Sequence, residues 1–198
     1  MTSETAASVV ELKQDGDVLL VTINNPPVNA LGAAVRQGLV AAMEQADASA
    51  AVKAVLIVGQ GKAFIAGADI REFGKPPVAP FLPDVCNRIE ACTKPVVAVI
   101  HGAALGGGLE IAMAAHYRLA LPAAKLGLPE VSLGLIPGAG GTQRAPRLMG
   151  VKAATELMLG GSPLSAKAAQ AAGLVDKLEE GSDPVAAGLA YARELLAQ

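Results

Sequence analysis

Glu110, Glu130 and the run Gly106-Gly107-Gly108 are the residues in this 198-residue chain whose types and spacing could do chemistry. The glycines follow the apolar run Val96–Ile100 and open a segment of helical character. Glycine allows φ > 0 and close approach of the backbone to a ligand. The first N–H groups of a helix have no partner within it and carry the positive end of its dipole. Such amides can hold an oxyanion, where one well-placed donor contributes about 2.7–4 kcal/mol to the transition state. For the glycines taken alone, tight helix–strand packing is the favoured alternative.

Glu110 falls in the first turn of that helix, among Leu109, Ile111, Ala112 and Met113. A carboxylate at a helix start ordinarily gains ~0.3–1 kcal/mol from the dipole. Here a water-facing side is scarce, and burial raises a carboxyl pKa toward the range that suits acid–base work. Glu130 follows Pro129 in a mostly apolar stretch. Taken singly it reads as an exposed loop carboxylate. Two such groups beside an oxyanion site can hold a water between them, one deprotonating it while the other handles a substrate proton. That arrangement suits addition of water to an activated double bond, or proton transfer next to a carbonyl.

The common alternatives are missing. GxGxxG is absent, since Gly138-Ala139-Gly140 is followed by Gly141-Thr142-Gln143, and GxxxxGK[ST] and GxSxG are absent too. His101 ends an apolar run and reads as structural, His116 as the cap of a helix end, and Asp69 as a hydrogen-bonding group rather than a base. Cys86 and Cys92 are expected to share one helix as small apolar packers. With no CxxC and only two histidines, neither a disulfide framework nor a metal site is expected.

These residues need a scaffold. Val9–Lys13 and Val18–Asn24 flank Asp15-Gly16 and predict a hairpin, stopped by Asn25-Pro26-Pro27. Ala33–Ala50 predicts a helix, Val55–Val58 a buried strand, and Phe64–Phe73 a turn. Gly74–Pro83, with four prolines, predicts an irregular loop. Val85–Thr93 predicts a helix, Val96–Ile100 a buried strand, Gly102–Gly108 a glycine turn and Leu109–Ala115 a helix. Arg118–Leu121 predicts a strand, and helices are expected around Gln143–Met149 and Lys152–Leu159. Ser165 suits the N-cap of Ala166–Ala172 and Gly173 the residue past its end. Leu174–Leu178 predicts a strand and Asp183–Gln198 a final helix. The alternation implies an α/β protein with right-handed crossovers.

Composition bounds the function. The length suits one domain, large enough to need no covalent staple. The 16 basic and 18 acidic residues give a net charge of −2, which with 3% aromatics argues against nucleic acid as a partner. The longest uncharged run, Val18–Val35, carries three asparagines and two prolines, so no membrane span is expected. Met1–Val10 lacks the basic cluster of a signal peptide. A cytoplasmic protein is expected. The 22 glycines and absent tryptophan leave the core to Ala, Val, Leu and Ile.

At these residues the chain resembles the crotonase, or enoyl-CoA hydratase/isomerase, superfamily. FIAGADIREF (Phe64–Phe73) resembles its first oxyanion segment. HGAALGGGLEIAMAAHYRLA (His101–Ala120) resembles the second, with its catalytic helix, and KLGLPEVSLGLIPGAGGTQRAPRLMG (Lys125–Gly150) the second catalytic segment. The wording is further similar to the N-terminal hydratase/isomerase domain of multifunctional fatty-acid β-oxidation enzymes. The resemblance implies a crotonase-like spiral of ββα units, short sheets surrounded by helices, over residues 1–198, without the usual C-terminal helical segment. It implies Glu110 as the group that activates water and Glu130 as the proton donor to the α-carbon. Ala68 and Gly107 would be the two amides on the thioester oxygen, and Ala66, Arg71, Val28 and Leu31 would lie near the CoA. No metal or separate cofactor is implied, the substrate being a CoA thioester. The partners implied are acyl-CoA and either a homotrimer or attached dehydrogenase domains in a longer chain. The expected function is hydration of trans-2-enoyl-CoA. The alternatives are Δ3,Δ2-enoyl-CoA isomerisation, other thioester chemistry, and a non-catalytic acyl-CoA-binding domain.

Overall fold

The computed structural model describes residues 8–198, so most of the Met1–Val10 segment lies outside the described residues. β1 (Val10–Asp15) and β2 (Val18–Ile23) form the expected antiparallel hairpin, turning at Gly16 with φ +61°. α1 (Ala33–Ala48) follows, and β3 (Ala54–Gly59) lies parallel to β2. After a loop come α2 (Leu82–Glu90) and β4 (Val96–Ile100), parallel to β3. Then follow β5 (Ala103–Leu105), α3 (Gly107–Ala114), β6 (Tyr117–Ala120) and β7 (Lys125–Gly127). The chain continues through α4 (Gly141–Met149), α5 (Val151–Gly160), β8 (Leu164–Ser165), α6 (Ala166–Ala171), β9 (Lys177–Leu178) and α7 (Pro184–Leu196).

The larger sheet runs β1-β2-β3-β4-β6-β9, and β5-β7-β8 form a second, smaller one. β3 and β4 are apolar throughout because both faces of the sheet are covered. On one face Val55, Ile57, Ala98 and Ile100 pack with α1, α2 and α3. On the other, Leu56 and Val99 meet α7 so closely that a Cβ at Gly188 would sit 2.5 Å from Leu56 Cδ1. The core is built from small aliphatic residues, with Phe64 its largest fully buried side chain.

Several expectations change. The glycine turn 102–108 contains β5, which together with β7 and β8 forms a sheet of two- and three-residue strands, too short to show a period of two. The strand expected over 174–178 is only Lys177–Leu178. Residues 82 and 83 belong to α2, since proline is tolerated in a helix's first turn. Cys92 lies past the end of α2 rather than on it, and its thiol contacts Asp47 Oδ1 at 3.5 Å. Cys86 is buried in α2, which pushes its thiol pKa up to about 12, as an inert packer requires. Ser165 caps α6 as expected, and Gly173 follows at φ +83°. His116 does cap a helix end, that of α2: Val96 N–H donates to Nδ1 at 2.9 Å, so Nε2 faces Glu90 O at 3.1 Å as donor.

Candidate active site

The two segments expected to supply oxyanion amides run side by side. Ile65 and Ala104 form a parallel bridge, with Ile65 N–H donating to Ala103 O (3.0 Å) and Leu105 N–H to Ile65 O (3.1 Å). Ala68 and Gly107 each lie three residues beyond it. Each follows a glycine with positive φ, Gly67 at +102° and Gly106 at +52°, a conformation that aims the next N–H and that side chains rarely adopt. Ala68 and Gly107 line one cavity of about 280 Å³ with Glu130. Among the described residues, neither N–H donates to a protein acceptor. Gly108 serves packing: a Cβ there would sit 2.1 Å from Ile65 O.

Glu110 projects from the first turn of α3 and is 2% exposed. Its Oε1 accepts from Ala139 N–H at 2.7 Å and Gly141 N–H at 2.8 Å, where α4 begins. Burial holds its carboxyl above the usual range, while the Gly141 and Ala139 amides and the Arg144 charge pull it back down. Glu130 sits in a 3-10 turn, Pro129–Leu133, with Oε1 only 3.1 Å from where a Cβ on Gly106 would be. Its Oε2 is buried without a partner. Burial raises the Glu130 carboxyl, and the charge of Glu110 adds to this against a bond from its own backbone. The environments thus part the two groups: donors favour the carboxylate at Glu110, whereas Glu130 faces a like charge with one oxygen unpaired. Such a pair can keep a base and an acid at the same pH.

The remaining predicted residues divide. Val28, Ala66 and Arg71 line a neighbouring groove that shares Ala68 with the cavity, and Ala66 N–H donates to Val28 O at 3.1 Å. The Arg71 guanidinium pairs with Asp69 at 2.7 Å yet stays largely exposed, and Asp69 is the expected hydrogen-bonding group. Leu31 does not belong with that groove. It is 1% exposed, donates its N–H to Gly67 O at 2.9 Å, and lies where a Cβ on Gly107 would be 3.1 Å from its Cδ1. Its role is to back the amide pair, because the bridge to Ala68 turns its side chain inward. His101 Nε2 donates to Gly61 O at 3.0 Å, away from the cavity lining.

Two arginines escaped the sequence reading. Arg36 is buried and donates to Leu31 O, Val78 O, Pro80 O and Glu72, fixing the proline-rich loop over a third cavity beside Ala68. Arg144 bonds Ala139 O at 3.0 Å and Glu90 at 2.6 Å. Only the rarity of an arginine amid small residues, as at Arg144, could have pointed to either.

Fold and site together define an α/β protein with a buried and a half-buried carboxyl group near two main-chain amides that have no protein acceptor among the described residues. The chain belongs to the enoyl-CoA hydratase/isomerase family, whose model matches residues 13–198. It is 52% identical over 163 residues to a peroxisomal bifunctional enzyme of Danio rerio, covering 82% of this chain but 23% of that protein. It is 46% identical over 175 residues to a probable enoyl-CoA hydratase of Bacillus subtilis, covering 85% and 68%. A solved enoyl-CoA hydratase from Mycobacterium tuberculosis superposes with a TM-score of 0.90 at 35% identity, over 96% of this chain and 77% of that one. The chain thus spans about a quarter of the length of the multifunctional relatives it matches. The architecture is the crotonase-like one expected, and no helix among the described residues is long and apolar enough to cross a membrane.

Proposed function

We propose that the chain adds water to trans-2-enoyl-CoA to give 3-hydroxyacyl-CoA, a step of fatty-acid β-oxidation. The observation that carries this reading is the unequal pair of carboxyl groups, Glu110 buried and Glu130 half-buried, beside two amides with no other acceptor among the described residues. Glu110, as carboxylate, takes a proton from water while the water oxygen bonds to C3. The double-bond electrons move toward the thioester oxygen, held by the Ala68 and Gly107 N–H groups. Glu130 then gives its proton to C2, and exchange with solvent resets both acids. The groove of Val28, Ala66 and Arg71 takes the CoA portion, and no further cofactor is invoked.

Incubation with crotonyl-CoA, followed by loss of the conjugated-thioester absorbance, tests the proposal. Turnover that collapses in Glu110→Gln supports it. Tight binding of the CoA ester with no turnover would leave an acyl-CoA-binding domain instead. A second reading, Δ3,Δ2-enoyl-CoA isomerisation, is favoured by one observation: Glu130 lines the cavity, whereas Glu110 is buried and is not part of its lining. A 3-enoyl-CoA substrate separates the two, since isomerisation needs only the Glu130 shuttle and survives Glu110→Gln.

The partnership with dehydrogenase domains, as in relatives named multifunctional, and a homotrimer are alternatives that a mass measurement on the natural protein decides. The free thiols of Cys86 and Cys92 support a reducing compartment, and the cytoplasm is our proposal. Relatives named peroxisomal make fractionation of the source cell its test.

A further inference from the structure

Glu110 is held by main-chain amides, and those amides are themselves held. The turn 138–141 lies between two side chains. On one side a Cβ at Gly141 would come within 2.9 Å of Glu110 Oε1. On the other a Cβ at Gly140, whose φ is +97°, would meet Arg144 Nη1 at 2.2 Å. The guanidinium therefore closes against the turn with Nη1 leading. Its Nη1 donates to Ala139 O at 3.0 Å, the carbonyl between the two N–H groups that seat on Glu110. Its Nη2 reaches across to α2, to Asn87 Oδ1 at 3.1 Å and Glu90 Oε2 at 2.6 Å. Arg144 is 9% exposed, and a charge so far from water needs this many partners. Glu110 Oε1 takes both amides, and Oε2 accepts nothing among the described residues.

We infer that Arg144 is a positioning residue for Glu110: anchored to Asn87 and Glu90, it sets the 139–141 turn so that both amides close on Oε1 and leave Oε2 for water. The inference rests on the hydratase reading for its kinetic consequence, though not for its structural one. Planarity is what the place demands. A fork bonds Ala139 O through one nitrogen and a carboxylate through another, whereas an ammonium has a single nitrogen from which to reach both. The charged and titratable groups facing Glu110 are Glu130 from the 3-10 turn, Cys86 from α2 and Arg144 from α4, with Glu90 of α2 on the far side of Arg144. Arg144 is the sole cation among these. Its loss moves protonation of Glu110 to higher pH.

Arg144→Gln, Arg144→Lys and Glu90→Gln in the full chain form the test. Crotonyl-CoA kinetics are measured across pH, and the Glu110 carboxyl is titrated by carbon NMR in the substrate-free protein. For Arg144→Gln the expected result is a kcat lower by up to about 10²-fold, the loss a small misplacement of a reacting group brings. KM stays near wild type, and both the acidic limb and the Glu110 titration shift to higher pH. Arg144→Lys returns the titration toward wild type without restoring kcat. Glu90→Gln, which alters only the half-exposed end, moves kcat in the same direction by less and carries the test if Arg144→Gln does not fold. Variants that lose melting temperature while kcat per folded molecule and the Glu110 titration stay put overturn the inference. If wild-type hydration is absent, the hydratase reading fails and the carboxyl titration alone still decides whether Arg144 governs Glu110.

Discussion

Asp47 and the Glu110–Glu130 pair are carboxylates in opposite circumstances. Asp47, near the end of α1, accepts from the Thr93 hydroxyl at 2.6 Å, the Thr93 amide at 2.8 Å and Arg88 at 2.5 Å. These bonds, the Thr93 hydroxyl foremost, hold its carboxyl far below the usual range. Asp69 beside Arg71 and Glu72 beside Arg36 are lowered likewise. Glu110 and Glu130 are both raised, with Glu130 Oε2 buried and unpaired. A carboxylate given every donor it can accept becomes a staple whose proton is out of reach near neutrality. One left short of donors keeps a proton in play. The molecule separates stability from reactivity by how fully each acid is satisfied.

The comparison is broken most sharply at Glu110. Glu110→Gln should lower hydration by on the order of 10²–10⁴-fold while the protein stays folded, as initial rates with crotonyl-CoA and a thermal melt would check. Next comes the clamp. Gly106→Ala forces a side chain into φ +52° and toward Glu130 Oε1, and should cost about 10²–10³-fold in kcat through a misaimed Gly107 amide. The pH profile sharpens the contrast with a gentler handle. In the proposed mechanism hydration requires Glu110 ionised and Glu130 protonated, so the rate should form a bell. It falls in acid as Glu110 gains a proton and in base as Glu130 loses one, with both limbs above the ordinary carboxylate range. Rates across pH, with circular dichroism to exclude unfolding, measure the limbs.

The smallest effect lies at the staple. Asp47→Asn should leave the hydration rate unchanged and cost about 1.5–3 kcal/mol of stability at neutral pH, the usual worth of hydrogen bonds to a charged group. Because the folded-state pKa of Asp47 is depressed, its contribution is present above the unfolded-state pKa and fades as pH falls. Urea melts of the two proteins should therefore converge in acid. A rate loss in this variant would erase the division between the two kinds of acid.

Much of this was legible in the residues. Continuous β-branched runs disclosed β2, β3 and β4, because strands buried on both faces need no polar alternation. The glycines beside Glu110 announced a special backbone, and the structure gives Gly106 a positive φ and packs Gly108 against Ile65 O. The short strands β5, β7 and β8 were hidden, being set by pairing rather than by their own pattern. The place of Leu31, apart from the groove of Val28, was hidden because which way a loop side chain turns depends on its bridge to Ala68. Arg144 was hidden because its partners, Asn87 and Glu90, lie over fifty residues away. Ala139 and Gly141 gave no hint that they would serve Glu110, as backbone donors leave no mark on composition.

The bridge between Ile65 and Ala104 makes the chain itself a ruler. Two rails leave the same rung, climb an equal number of steps past a kink, and end on the same cavity, so the spacing of the two amides is measured in peptide units. Replacing side groups along either rail leaves that gauge intact, whereas adding or removing a single link in one of them puts the rails out of step.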